Sequence, residues 1–347
     1  KANSKREGNS IKLPSQDKEA TRIILDQINE GNIELPKEVE LLNENEIKEK
    51  LKEMNLKSNS WIKNINEACT NKILALRIKK KLAASIEILM PSEENYLSTN
   101  RILIIVDNEA KLNLLQIAIG SSNSAINNIT EVYLNESSQM NHGFIGFGKV
   151  NANILSQINI NQANKSNYTL TSVQQGWSMS RLDPKVIQTE GRAFTNLRGL
   201  QVSSEKQQLA THSSVEFKGP EGFLNQLQKS IATNQSHCIF NGAIHVPRIA
   251  QKTNASQLSR NLLISDQARI DTKPELEIIA DDVKCAHGAT VSQLHEDELF
   301  YLRSRGINTM QATSLLLTGY CQEILDKLPL SANRWKILEQ IVSNLNK

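Results

Sequence analysis

Between residues 75 and 290 the chain alternates apolar and polar residues in short bursts, and no long amphipathic helix interrupts them. This period of two is typical of β-strands. Clear examples are Leu112–Ile119, Ile129–Leu134, Ile154–Ile160, Tyr168–Val173 and Leu276–Ile279. A β-region of this length without crossover helices argues against a doubly wound α/β sheet. It leaves a large sandwich, a closed barrel, a propeller or a solenoid.

Signals for tight hairpins are scarce in this region, Asn241-Gly242 being the main one. That scarcity argues against a meandering antiparallel sheet and favours a mainly β fold in the form of a parallel β-helix, which turns its corners without hairpins. Asparagine makes up roughly one residue in ten and tolerates the left-handed backbone region, so it suits repeated corners. A codon-biased genome would explain the same abundance.

The first segment, residues 1–74, is expected to hold an arm and helices. Helical spacing of apolar residues predicts helices over Asp17–Asn29, Glu44–Met54 and Ser60–Leu74. In the third of these, one apolar stripe is expected to face the core, with Cys69 as a small core residue. The stripe consists of Trp61, Ile65, Ala68, Cys69 and Ile73.

Helical spacing returns in the last segment, residues 291–347. A helix over Glu296–Arg305 is expected to end at Gly306 as a left-handed cap. Asn308 is expected to cap a second helix and Ser331 a third. Such a helical tail can close the end of the β-region, residues 75–290, or dock a partner.

Charge and composition exclude several classes of protein. The chain has 40 basic and 37 acidic side chains, so no bulk attraction to nucleic acid or membranes is encoded. Its longest apolar run, Ile102–Val106, is far short of the roughly 20 residues of a membrane helix. The four cysteines are scattered, which indicates reduced thiols and a cytoplasmic location. The chain opens at Lys1 without a signal sequence, and we expect a piece upstream of it to be missing.

The run Gly143–Lys149 nearly matches a phosphate-binding loop. The motif needs Ser or Thr at the next position and a helix after it, whereas Val150 follows here and Asn151–Ile160 looks like a strand. We therefore interpret the match as a coincidence and expect no ATP hydrolysis by this chain.

Cys285 and His287 form the one pair with metal-binding character. On a strand, residues i and i+2 share a face, and a thiolate with an imidazole suits iron or zinc. Two ligands do not complete a metal site, so further ligands would have to come from elsewhere. The alternative is that both side chains serve only in packing. Among the other histidines and cysteines, His237 and His245 are interpreted as structural residues with satisfied hydrogen bonds, and Cys238 and Cys321 as core residues.

A cluster of carboxylates lies close to this pair in sequence, alongside Arg269 and Lys273. In a β-helix it could line a polysaccharide-lyase groove, and the alternative is a solvated face. Its members are Asp266, Asp271, Glu275, Glu277, Asp281 and Asp282.

Four stretches together resemble one known family. They are Phe240–Pro247, Arg260–Ile279, Ala280–Thr290 and Leu299–Ile307, and they are similar to the SufB/SufD family. The resemblance implies a right-handed parallel β-helix core flanked by N-terminal and C-terminal α-helical segments. It also implies a non-catalytic scaffold subunit of the SUF system of iron–sulfur cluster assembly.

Single positions favour the SufD-like branch of the family. SufB-like chains carry a Cys where this chain has Ala268, and a Glu where it has Gly288. The run Lys284–Thr290 is similar to the Lys-Cys-Ser-His-Gly-Ala-Thr of SufD-like chains, with Ala286 in place of Ser. Because Ala286 faces away from the ligand pair, this departure should be harmless.

The resemblance implies a transient iron–sulfur cluster shared with SufB, held by His287 and Cys285 from this chain and by further ligands from SufB. It also implies that the C-terminal helices, about Glu296 to Asn346, dock the ATPase SufC. Flavin binding by such a complex has no support in the sequence. Two alternatives stay open: a carbohydrate-active β-helix enzyme, and a purely structural partner of SufB in which His287 can be changed without effect.

Overall fold

The computed structural model describes residues 13–16, 20–25, 35–55, 60–70, 73–294 and 296–345, which wind into a parallel β-solenoid of about eight turns with helices at both ends. The mainly β fold and the parallel β-helix with flanking helices are thus confirmed. The strands are β1 (Thr21–Ile24), β2 (Val39–Leu41), β3 (Leu74–Ile78), β4 (Ala83–Ser92), β5 (Leu97–Val106), β6 (Lys111–Gly120), β7 (Ala125–Leu134), β8 (Gln139–Gly148), β9 (Asn153–Gln162), β10 (Asn167–Gln175), β11 (Met179–Gln188), β12 (Phe194–Ser203), β13 (Gln208–Phe217), β14 (Phe223–Ala232), β15 (His237–Val246), β16 (Asn254–Leu263), β17 (Arg269–Ile278) and β18 (Lys284–Ser292).

Successive strands alternate between two nine-stranded sheets. The first sheet has the order β1-β4-β6-β8-β10-β12-β14-β16-β18, and the second β17-β15-β13-β11-β9-β7-β5-β3-β2. Among the described strands, every pairing is parallel except that of β2 with β3. Asn241-Gly242 lies inside β15, so the main hairpin signal in the sequence does not mark a hairpin. The scarcity of hairpin signals therefore correctly predicted a parallel fold.

The corners between strands follow a regular spacing that the sequence reading missed. Non-glycine residues with positive φ occur at residues 81, 95, 109, 123, 137, 151 and 165, a step of 14 residues. Two steps make one turn, and Ala83 accordingly pairs with Lys111. Asparagine occupies the left-handed position at Asn95, Asn123, Asn151 and Asn234, while lysine, glutamate, arginine or serine occupies it elsewhere. The role of asparagine at corners is therefore real but not general.

The two inner faces enclose one core, in which apolar side chains stack turn upon turn. Trp177 is completely buried there and lies where Cβ atoms at Gly146 and Gly148 would be. Both glycines belong to the near match to a phosphate-binding loop. That run lies in β8 and is followed by β9 rather than by a helix, so its glycines serve packing.

The C-terminal segment forms α3 (Glu296–Ser304), α4 (Thr309–Leu325), a 3₁₀-helix (Leu330–Trp335) and α5 (Ile337–Leu345). Apart from α3, these elements pack along the outer face of the first sheet, where apolar residues of β4 to β16 meet Leu317, Ile324 and Trp335. The helical tail thus covers a flank of the solenoid and leaves its end uncovered.

The predicted helix ends are mostly confirmed. Gly306 has a φ of 85°, and the side chain of Asn308 accepts a hydrogen bond from the backbone N–H of Gln311 at 2.9 Å. The prediction for Ser331 is wrong, because this residue lies inside the 3₁₀-helix and α5 begins only at Ile337.

At the N-terminal end, α1 (Glu44–Asn55) agrees with the prediction and α2 (Trp61–Cys69) shortens it, since Leu74 already starts β3. The predicted helix Asp17–Asn29 is wrong over Thr21–Ile24. These residues form β1 and pair with β4, where their β-branched side chains suit an extended edge and Ile23 fills the core. The remainder of that predicted helix lies outside the described residues, apart from Ala20 and Leu25.

The expected core stripe of α2 is also wrong. The helix buries Ile62, Lys63 and Asn66 and exposes Trp61, Ile65, Ala68 and Cys69, so Cys69 is not a core residue. The physical reason is that the outer face of the second sheet offers hydrogen-bond partners. The Asn66 amide donates to Asn100 O at 3.0 Å and to Asn127 Oδ1 at 2.8 Å. None of the helices in the described parts of the chain is both long and apolar enough to cross a membrane.

Candidate functional site

The last turn of the solenoid presents two strand edges at the same end. β17 ends the second sheet and β18 ends the first, and each is paired on one side only among the described strands. The backbone N–H of Lys284 donates to Thr253 O at 2.9 Å, toward β16. Because successive residues of a strand point their backbone groups to opposite sides, Cys285, His287 and Ala289 direct theirs to the open edge.

Cys285 and His287 lie on the inward face of β18. Cys285 is in register with Ala255 and His287 with Gln257, and both partners are buried inside the solenoid. Ala286 between them is in register with Ser256 on the outer face. The two candidate ligands therefore share one face, as their spacing predicts, and this face looks over the uncovered end of the core.

The two side chains differ in their surroundings. Cys285 is half-buried and packs against the core, and burial raises the pKa of its thiol. His287 is exposed. In the described residues no group of three or more His, Cys, Asp or Glu side chains is arranged to hold a metal ion. A metal at this end would need ligands from outside the described chain.

A ladder of buried amides lies directly beneath His287, and the sequence reading missed it. The Gln257 Nε2 donates to Gln226 Oε1 at 2.8 Å, and the Gln226 Nε2 donates to Ser213 Oγ at 2.7 Å. The Oε1 of Gln257 is buried without a hydrogen-bond partner among the described residues. The signal in the sequence is the inverted alternation of β16, where polar residues occupy inward positions.

Three carboxylates of β17 each contact a basic side chain. Asp271 lies 2.7 Å from Arg269 and 2.9 Å from His237. The hydrogen bond from Arg269 is the largest cause of the lowered pKa of Asp271.

The same pairing continues along the strand. Glu275 contacts Lys273 at 2.6 Å and Glu277 contacts His245 at 3.0 Å. His237 and His245 each contact a carboxylate of the neighbouring strand β17, which agrees with their interpretation as structural residues. Cys238 and Cys321 are buried, as expected.

The helix α3 carries apolar side chains that meet no core. None of its residues is buried, and Phe300 and Tyr301 are 72% and 57% exposed. Met310, at the start of α4, is 71% exposed. Single exposed apolar residues are common, but adjacent aromatic residues on one short helix are typical of protein-binding surfaces.

The protein-family comparison finds one match, to the family described as SUF system FeS cluster assembly, SufBD core domain, over residues 89–320. A SufBD family iron–sulfur cluster assembly protein of Synechocystis is 39% identical over 258 residues, which cover 70% of this chain and 56% of that protein. The chloroplastic protein ABCI7 of Arabidopsis thaliana is 31% identical over 236 residues, 67% of this chain and 50% of that protein.

A further relative bears the name of one branch of the family. The iron–sulfur cluster assembly protein SufD of Escherichia coli is 41% identical over 127 residues, which cover 36% of this chain and 30% of that protein. The chain thus spans about half the length, or less, of the curated relatives it matches.

Proposed function

This chain belongs to the SufBD core family of the SUF system of iron–sulfur cluster assembly, and we propose that it serves there as a SufD-like, non-catalytic scaffold subunit. In this proposal it pairs with SufB through the open end of its solenoid and holds a nascent cluster between the two subunits. The cluster is cargo that later leaves. The free thiols of the chain suit a reducing compartment such as the cytoplasm.

The observation that carries the proposal is that the candidate ligands lie at the same end of the solenoid as the unpaired strand edges. Exposed strand edges are ready sites for adding a strand of another chain. Here the edges of β17 and β18 lie at the same end, and His287 and Cys285 face across that end. A partner that extended both sheets would cover these two side chains, so a metal held there would lie in the interface.

The chemistry of the two residues suits a temporary site. A neutral imidazole nitrogen is a weaker iron ligand than a thiolate, so a cluster held partly by His287 can be released more easily than one held by four thiolates. Burial disfavours ionisation of Cys285 by raising its pKa. We therefore assign the main thiolate to SufB, the principal role in this chain to His287, and a supporting role to Cys285.

A second surface is proposed as the docking site of SufC. The exposed aromatic residues Phe300 and Tyr301 lie on α3, which contributes nothing to the core. The helices behind it pack on the flank of the first sheet, which gives α3 a fixed base. This arrangement lets SufB and SufC bind different surfaces of the same subunit.

We do not favour a carbohydrate-active enzyme, because Asp271, Glu275 and Glu277 of β17 are each engaged by a basic neighbour, namely Arg269, Lys273 or a histidine of β15. The purely structural alternative is separated from the proposal by experiment. It predicts that His287 is dispensable for cluster assembly in an intact complex.

The test is His287→Ala in a complex co-expressed with SufB and SufC. His287 is exposed, so truncating it should leave folding and pairing intact while cluster content per complex falls several-fold. Cys285→Ser should lower cluster content less, because SufB supplies the main thiolate in this proposal.

His245→Ala serves as the matched control, since His245 lies in β15, on the outer face of the second sheet. Normal cluster content in a well-formed His287→Ala complex would refute the ligand role of His287. A fall of equal size in the His245→Ala complex would do the same.

A further inference from the structure

Gln257 is the buried residue closest in register to His287. The two are direct neighbours in the pairing of β16 with β18 and share the inward face. In-register residues of adjacent strands lie about 5 Å apart, within reach of a hydrogen bond between long side chains. Gln257 is 2% exposed, and its Oε1 has no partner among the described residues.

The orientation of the Gln257 amide is set by the ladder beneath it. Its Nε2 donates to Gln226 Oε1, and the Gln226 Nε2 donates in turn to Ser213 Oγ. A rotated Gln257 amide would place two oxygens against each other. In the arrangement present, the Gln257 nitrogen is used within the ladder and its free oxygen is available as an acceptor.

The opposite sheet leaves room for this amide. A Cβ at Gly242 of β15 would collide with Nε2 of Gln257. Gly242 lies within a strand, where glycine costs stability, and its lack of a side chain creates the space that the Gln257 amide fills.

We propose that Gln257 is a positioning residue for His287: its free amide oxygen accepts the N–H of one ring nitrogen and leaves the other nitrogen unprotonated and directed out of the open end. This inference rests on the proposed function, in which His287 is a ligand of the cluster. Metal-binding histidines generally donate their second ring nitrogen to an oxygen acceptor, which selects the tautomer and orients the ring. A buried acceptor that lacks a donor costs free energy, and the ring of His287 would supply that donor.

The first test uses the isolated chain with ¹⁵N-labelled histidine, in which the ring signals of His287 are assigned from the His287→Ala spectrum. The tautomer ratio is measured at alkaline pH. Gln257→Met keeps the length of the side chain and removes the acceptor. It should change the ratio by about three- to tenfold, the effect of losing one hydrogen bond. Gln257→Glu keeps an oxygen at the same position and should preserve the preferred tautomer.

Two further variants keep this test decisive. Gln226→Met releases the Gln257 amide without altering Gln257, and should change the ratio in the same direction by a smaller factor. Asn261→Leu is the matched control: Asn261 is buried on the same strand and also has an unpartnered oxygen, but lies about 13 Å along the strand from Gln257. It should leave the ratio unchanged. An unchanged ratio in folded Gln257→Met, or an equal change in Asn261→Leu, would overturn the inference.

The second test uses the complex with SufB and SufC. Gln257→Met should speed the loss of the cluster to an added chelator by about tenfold at unchanged yield of complex, the usual effect of removing such a partner of a metal ligand. If His287→Ala loads clusters normally, the proposed function fails, and the tautomer ratio still decides whether Gln257 positions the ring. If His287→Ala abolishes loading but Gln257→Met changes neither ratio nor cluster loss, only the positioning role fails.

Discussion

His142 lies wholly inside the solenoid with both ring nitrogens bonded. Its Nε2 is 2.8 Å from Gln116 Oε1, and its Nδ1 is 2.9 Å from the hydroxyl of Tyr168. The Gln116 amide donates its own N–H to Thr130, so its oxygen is the acceptor and His142 donates from Nε2. Nδ1 then accepts from Tyr168. Burial lowers the pKa of His142 to about 3, which keeps the ring neutral.

This histidine predicts a pH dependence of stability. Its folded pKa lies below the ordinary value of 6.5, so the unfolded chain binds a proton that the folded chain excludes. The stabilisation is complete above about pH 6.5 and is lost as the pH falls toward 3, at about 1.4 kcal/mol per pH unit. Denaturant unfolding between pH 6.5 and 5 should therefore show a steeper decline for the natural chain than for His142→Gln. Parallel curves would contradict this account.

The glycines around Trp177 predict a second effect at single residues. A Cβ at Gly148 would lie 2.7 Å from the Trp177 Cα, and backbone cannot move aside easily. Gly148→Ala should lower the free energy of unfolding by about 1–3 kcal/mol through overpacking. Gly319→Ala is the matched control, because nothing lies within 4 Å of its Cβ in the exposed face of α4, and helix propensity should raise stability by up to about 1 kcal/mol. Equal effects in chemical denaturation would refute the packing role.

Among the elements, α2 has an inverted arrangement of polar and apolar residues. Arg101 of β5 contacts the buried Glu131 of β7 and Glu67 of α2, each at 3.0 Å, and the buried Lys63 of α2 lies near these charges. Burial raises the pKa of Glu131, against the lowering effect of Arg101. Because a buried charge is costly unless it is paired, this network selects one position of the helix on the sheet. The helix is thus held by polar contacts rather than by its apolar stripe.

The helix α3 allows a test of the SufC surface that leaves the fold intact. Replacing Phe300 and Tyr301 together by Ser should reduce copurification of SufC by at least about tenfold, because aromatic residues dominate binding energy in such surfaces. The melting temperature should stay unchanged, since no residue of α3 is buried. Leu330→Ser is the control, because Leu330 is an even more exposed apolar residue, on the 3₁₀-helix.

Deletion of everything after Gly306 is a poorer experiment. It would remove Leu317, Ile324 and Trp335 from the outer face of the first sheet and leave that apolar face in water. Trp335 also donates to the buried Glu87 at 2.7 Å, and this carboxylate would be left with Arg22 as its remaining partner. Lost SufC binding would then report damage to the solenoid.

Full SufC binding by the Phe300 and Tyr301 double variant would refute the docking proposal.

At the scale of the whole molecule, the solenoid is covered along its flanks and uncovered at its C-terminal end. Helices pack on the outer faces of both sheets, α4 and α5 on the first and α2 on the second. At the end, the inward residues of β17 and β18 are half-buried or exposed, while those of earlier turns are buried. An exposed edge of this length invites pairing with another chain.

The open end predicts that proline on β18 acts differently at alternate positions. Ala289 directs its N–H to the open edge, so Ala289→Pro should keep the pairing with β16 yet weaken association with SufB by at least about tenfold. Ala286 directs its N–H toward β16, so Ala286→Pro should lower the stability of the isolated chain instead. Size-exclusion chromatography with SufB and thermal unfolding measure the two effects. Undiminished SufB association of Ala289→Pro would argue against pairing through this edge.

Local patterns in the sequence determined the fold class and the placement of the candidate ligands. Alternation with a period of two depends only on neighbouring residues, so it predicted strands, and the lack of hairpin signals predicted parallel pairing. The same local rule placed Cys285 and His287 on one face of β18. The motifs around Lys284–Thr290 indicated the family, which the match over residues 89–320 confirms.

The tertiary structure alone decided which of these faces is covered. Inward residues are covered by strands one turn away, which is 26 residues from Asn153 to Met179 and 32 from His237 to Arg269, and outward residues of the first sheet by helices from the far end of the chain. The pattern within α2 does not carry that information, which is why the helix was assigned the wrong face. Cys285 and His287 lie at an open end because no further strand follows β18 in the first sheet. The C-terminal helices pack on the flank instead, where they bury the apolar outer face of that sheet.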